Sequence, residues 1–279
     1  MTSRVIGALL RACLAVILII TPSLMIPGVQ DETIQIVILA AVFGFALTTF
    51  EYASTYPGLV EFREAPPFNR IRFLSLFATV FLLSAVARGT TDPSTFTEFV
   101  GAVGTLIGKA IDFPYSPVRL IVLMLPEGAT AQEIITLRMA AGMSYLISLV
   151  SLAIFVIALR ITGWPKRKGG FNVWVNLPMF DPTAGGDVVE RLERDARFNV
   201  ALGFLLPFLT PALIKGASGL FGSISITNDQ TMIWTISAWA FLPASLFMRG
   251  IAMQRVATLI CEQRARNSAS AESKSLQPA

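Results

Sequence analysis

Apolar residues along this chain come in blocks rather than stripes, and six of the blocks approach or exceed membrane-spanning length. They run from about Val5 to Ile26, Ile34 to Phe50, Phe73 to Ala87, Met139 to Leu159, Phe198 to Ile214 and Met232 to Met248. A helix crossing the hydrocarbon core needs about 20 largely apolar residues, with about 17 as a lower limit. The third block is the shortest and needs Ile71 and the aliphatic stem of Arg72 to reach across; Arg11 in the first can snorkel to the headgroups. The pattern predicts an all-α fold, a polytopic membrane helix bundle with six transmembrane helices.

Residues 96–111 differ. Phe96, Phe99, Val100, Val103, Leu106, Ile107, Ala110 and Ile111 fall on one side at helical spacing, and Thr97, Glu98, Gly101, Gly104, Thr105, Gly108, Lys109 and Asp112 on the other. This predicts an amphipathic helix in the membrane interface. Pro114, Pro117 and the short apolar run Leu120–Leu125, closed by Pro126, allow a re-entrant alternative for 96–125. Glu98, Lys109 and Arg119 make that alternative costly at depth. Gly104 and Gly108 form a GxxxG, a spacing that lets another helix approach closely.

The connectors are unequal. Segment 51–72 (EYASTYPGLVEFREAPPFNRIR) and segment 164–197 are rich in aromatic and charged residues, and both are expected to be structured. Phe171–Leu177 alternates with period two, as an extended strand would. Asp187-Val-Val-Glu190 reads as a capping box after Gly185-Gly186. The pairs Asp187/Arg191, Glu190/Arg194 and Glu193/Arg197 have the spacing and orientation that support a helix, at about 0.3 kcal/mol each. A charged helix is therefore expected from 188 into the fifth span. Residues 1–266 are expected to form a single domain, followed by a small, polar, disordered tail over 267–279.

Charge then orients the ladder. Of 22 Lys and Arg residues, seventeen lie on one side. They are Arg4 and Arg11; Arg63, Arg70 and Arg72; Arg160, Lys166, Arg167, Lys168, Arg191, Arg194 and Arg197; and Arg249, Arg255, Arg264, Arg266 and Lys274. Arg88, Lys109, Arg119, Arg138 and Lys215 make up the other side. Basic loops are retained in the cytoplasm, so both termini are expected there, an N-in/C-in arrangement in a bacterial-type inner (plasma) membrane. Arg4 and Arg11 ahead of Ala12–Ile20 imitate a signal peptide, but no small-x-small cleavage motif follows, and an uncleaved first span is expected. A net charge of +4 flanks the spans instead of lining a recognition face, so no nucleic acid is expected. The partners implied are the lipid bilayer and either another membrane protein or a second copy of the chain.

Composition narrows the chemistry. The chain is 54% hydrophobic and 14% charged, against roughly 25% charged in soluble proteins. It contains no histidine, which removes the commonest proton shuttle and metal ligand. No acidic residue lies within the six apolar blocks, so an aspartyl mechanism in the bilayer has no pair of carboxylates and coupled transport lacks its usual ionisable residues. No Walker-type phosphate loop occurs. Cys13 and Cys261 lie too far apart for a framework, and neither has ligand-forming neighbours. No catalytic residue, cofactor or metal is expected.

Pro207 and Pro211 in the fifth block and Pro243 in the sixth mark a candidate helix break. The alternative is a kinked helix whose freed carbonyls are met by neighbours. Trp164, Trp234, Tyr52 and Tyr56 fall where interfacial anchors belong. The candidate partner surface comprises Glu51, Tyr52, Tyr56, Glu61, Arg63, Glu64, Arg70, Trp174, Arg191 and Arg194, where aromatic and charged residues concentrate in loops. The expected function is that of a non-enzymatic accessory, scaffold or assembly protein for a membrane complex. A small-solute channel or uniporter is the alternative, and a membrane enzyme acting at the cytoplasmic face is third.

Overall fold

The computed structural model describes residues 2–63, 65–126, 128–165, 173–181, 183, 185–221 and 228–275. It is 82% helix, and no strand occurs among the described residues. The elements are α1 (Thr2–Met25), α2 (Asp31–Ala53), α3 (Pro66–Thr91), α4 (Thr95–Ile111), α5 (Pro117–Val122), α6 (Ala131–Thr162), α7 (Val173–Asn176), α8 (Val188–Phe221) and α9 (Asp229–Ser275). Six of them, α1, α2, α3, α6, α8 and α9, are long and apolar enough to cross a membrane. Each of the six expected spans lies within one of these helices, apart from a single residue at the end of α1, and most helices run on past the apolar block.

The extensions have local causes. At α6, Thr130 Oγ1 accepts from the Glu133 amide at 3.2 Å, and Glu133 Oε2 accepts from the Thr130 amide at 2.7 Å. This capping box starts the helix a full two turns before Met139. At α3, proline at the first positions suits a helix start, since the missing N–H would have had no intrahelical partner.

Contacts place the six long helices in alternating directions. At one end Arg11 of α1 lies over the Tyr52 ring of α2, Glu61 before α3 pairs with Arg249 of α9, and Asp187 before α8 pairs with Arg264. At the other end Gln230 of α9 bonds Ser23 of α1, and Asp112 sits between Arg119 and Arg138. The first of these is the arginine-rich end of the bundle. Three apolar clusters form the interior, and the largest is at that end, built on Phe62, Phe68, Phe155, Leu177, Leu192 and Met253. α2 stands at the periphery: Ile36, Leu39, Val42, Phe43 and Phe50 are exposed, and Ala41 and Glu51 are its buried residues. A helix apolar on all sides yet exposed suits a lipid environment.

The 96–125 segment divides into α4 and α5, and in α4 the GxxxG residues face the protein. Thr97, Val100, Gly104 and Gly108 are buried, whereas Phe96, Phe99 and Leu106 of the apolar stripe point outward, Phe99 66% and Leu106 69% exposed. Lipid removes the hydrophobic drive between helices, so small residues that permit close contact face the protein. A Cβ at Gly142 of α6 would lie 2.7 Å from the Gly108 Cα, and a Cβ at Gly108 would lie 2.9 Å from the Arg138 carbonyl oxygen. Backbone meets backbone there. Gly142→Leu is expected to force α4 from α6 and cost about 1–3 kcal/mol. Gly101→Leu, with nothing within 4 Å, should change little in the same detergent thermal-unfolding assay.

No helix break appears at the prolines: α8 continues through Pro207 and Pro211, and α9 through Pro243. A neighbour instead meets a freed carbonyl. Pro211 has no N–H, so the carbonyl of Pro207, four residues earlier, loses its helical donor. Trp239 Nε1 of α9 donates to that oxygen at 3.2 Å. Trp239→Phe keeps the ring but orphans the carbonyl, and is expected to cost about 1 kcal/mol in the same assay.

The strand expectation is revised, and α9 is longer than its apolar block. Val173–Asn176 is a helical turn and not part of an extended strand, while residues 171 and 172 lie outside the described residues. α9 continues as helix to Ser275, through most of the tail expected to be disordered, and residues 276–279 lie outside the described residues.

Candidate functional site at the basic end of the bundle

The two structured connectors meet. Segment 51–65 turns sharply at Pro57-Gly58, and one buried carboxylate organises the turn. Glu51, 4% exposed at the end of α2, accepts from the amides of Gly58, Leu59 and Val60 at 2.8–3.2 Å. Arg63 completes the knot by donating to the carbonyls of Glu51, Ser54 and Thr55 at 3.3, 2.7 and 3.3 Å. These oxygens lie at the C-terminal end of α2, where the helix leaves acceptors unpaired and a cation is favoured.

Phe62 joins this knot to the second connector. Its side chain is fully buried, 4.6 Å from the Phe68 ring and 5.7 Å from that of Trp164. Its amide donates to the Asn176 carbonyl at 2.7 Å, and its own carbonyl accepts from Ala65 and Asn69. The backbone at Phe62 has φ +50°, a region disfavoured for a residue with a Cβ. Such a conformation persists where the surroundings over-determine it, as they do here.

Two ion pairs fix the cap to α9. Arg249 grips Glu61 through Nε and Nη2, at 2.6 and 2.9 Å, and the two side chains are 24% and 12% exposed. Arg72 shares the field of Glu61 and Arg249, and its guanidinium rests between the rings of Phe68 and Phe241. The Arg72 Nε has no hydrogen-bond partner among the described residues. Asp187 Oδ1 caps α8 by accepting from the Val189 amide at 2.6 Å, and its Oδ2 meets Arg264 at 2.7 Å. The Arg264 contact and the cap hold the Asp187 carboxyl below its ordinary value of 3.8. A depressed carboxyl contributes stability above the unfolded value and loses it as pH falls through the lower folded value. The destabilisation by Arg264→Ala should therefore be full at pH 7 and vanish well below 3.8, as read by unfolding of the two chains across pH.

The candidate surface residues thus have different fates. Glu51, Glu61 and Arg63 turn inward and build the cap. Tyr52 lies under Arg11, and Trp164 packs on Phe62 rather than serving only as an anchor. Arg191 donates to the Asp181 carbonyl and covers the Phe180 ring. Tyr56, Arg70 and Arg194 are exposed, and Arg194 stands 3.9 Å from Asp195. Glu64 and the Trp174 side chain lie outside the described residues. Of the three expected helix pairs, Glu193/Arg197 is present at 3.7 Å, whereas Asp187 takes Arg264. Arg249, Arg264 and Asn176 complete the cap without being singled out in sequence, since their partners lie far along the chain. No group of three or more metal-ligating side chains occurs among the described residues.

Six apolar helices of spanning length, joined at one end by a folded basic cap, are those of a multi-pass helical membrane protein. Comparison with protein-family models, curated proteins and solved structures returned no match.

Proposed function

We propose that this chain is a non-enzymatic accessory, scaffold or assembly protein of a bacterial-type inner membrane, with the cap and both termini on the cytoplasmic side. The observation that carries this reading is the union of two distant connectors into one body, through the Phe62–Asn176 hydrogen bond and the Glu61–Arg249 pair. Substantial folded structure outside the spans needs a use, and this cap presents Tyr56, Arg70 and Arg194 outward while Glu51 and Glu61 are committed inward. The positive-inside rule supports its cytoplasmic placement. The channel alternative draws no support from α8, which is unbroken, nor from α4, whose Gly104 and Gly108 pack directly on α6 and leave no polar path between the two helices there.

Two measurements test the proposal. Purification in mild native detergent with size analysis should recover a specific partner or a defined oligomer; a monodisperse monomer with nothing bound overturns the scaffold role. Cys261 is free and exposed on α9, so a Cys13→Ser chain carries one natural reporter. A membrane-impermeant maleimide should label it in inverted vesicles and not in right-side-out ones; the reverse pattern overturns the orientation.

A further inference from the structure

A groove of about 570 Å³ runs between α8 and α9, within the size range of ligand sites. It is graded along its length. α8 enters the bundle from the basic end, so Arg197 lies nearer that end than Val200 and Phe204. α9 runs the opposite way, so Arg255 lies nearer it than Ile251 and Phe247. The inner walls are thus aliphatic and aromatic, and the mouth is cationic. The helices touch closely beside the groove, where a Cβ at Gly250 would come within 2.7 Å of the Ala196 carbonyl oxygen.

The cations at the mouth outnumber their counter-charges. Arg197 has Glu193 at 3.7 Å, but Arg255 has no acid within ion-pair reach among the described residues. Arg255 also lines an adjoining polar pocket with Arg160, Trp164 and Thr258. Arg160 likewise has no ion-pair partner among the described residues, and Glu262 in that pocket is engaged by Arg266 at 3.1 Å. Guanidinium groups bind phosphate with directed, charge-assisted hydrogen bonds. Basic pockets between membrane helices suit anionic headgroups.

We propose that this groove binds an anionic phospholipid of the leaflet at the basic end. An acyl chain lies along Val200, Phe204, Phe247 and Ile251, and the headgroup phosphate meets Arg255 and Arg197, with Arg160 in the neighbouring pocket. The polarity of the groove matches that of a lipid in this leaflet, and the surplus cation selects an anionic headgroup over a zwitterionic one.

Native mass spectrometry of the full chain, titrated with phosphatidylglycerol or phosphatidylcholine in detergent, tests this. Phosphatidylglycerol should be retained about tenfold more tightly, the scale of one charge-assisted contact. Arg197→Gln with Arg255→Gln should abolish the preference. Ala201→Phe, which fills the exposed groove, should lower retention of both lipids, while Arg4→Gln, removing one positive charge at the same end on α1, should change nothing. The proposal is overturned by equal retention of the two lipids on the wild-type chain, by an Arg4→Gln loss equal to that of the double variant, or by complete displacement with equimolar inorganic phosphate.

Discussion

Phe62→Ala is expected to lower stability by about 3–5 kcal/mol, the scale of removing a fully buried aromatic side chain. The lost ring is the contact between two connectors as well as a filler of the largest core cluster, touching both Phe68 and Trp164. Alanine also inherits the positive φ, so the backbone strain stays while the packing that held it goes. Thermal unfolding in detergent should show the loss, and limited proteolysis should open 51–65 and 173–187 together. Phe62→Gly separates the two contributions, because glycine adopts this backbone without strain. It should be less damaging than alanine; an equal or greater loss would show that φ carries no strain.

Glu61→Gln is the second large effect, expected at about 3 kcal/mol. Breaking a buried pair costs about 3–5 kcal/mol because a charge is left uncompensated, and the partial exposure of Arg249 trims this. The loss is aggravated here, since Arg72 lies in the same field and two guanidinium groups would share no acid. If uncompensated charge is the cause, adding Arg249→Gln should recover part of the stability. If the hydrogen bonds themselves were the cause, the double variant would be no better than the single one. Apparent unfolding temperatures of the three chains decide between these.

The spans were legible because lipid demands long apolar blocks, and a block needs no partner to be recognised. Their true starts were partly legible too: Thr130 and Glu133 have the three-residue capping spacing, which an apolar block beginning at Met139 conceals. In α4 the GxxxG spacing was legible for the same reason: with lipid outside, Gly104 and Gly108 seek the protein and Phe99 and Leu106 seek its surroundings. At the cap, residue types marked the right segments but not their direction. Nothing local tells Glu51 to bind the 58–60 amides, or Glu61 to find an arginine 188 positions away. Such pairings arise when helices dock, and sequence spacing does not encode docking.

α9 is far longer than a membrane crossing requires. Its 47 residues extend about 70 Å at 1.5 Å per residue, against a hydrocarbon core about 30 Å thick. Much of the helix therefore stands clear of hydrocarbon, as an axle running from the far end of the bundle past the cap. Its bearings are Trp239 on Pro207, Arg249 on Glu61 and Arg264 on Asp187. A torque applied to the exposed turns beyond Arg264 would reach the bundle as rotation of one rod, with Pro243, where a backbone hydrogen bond is missing, as the place it can flex.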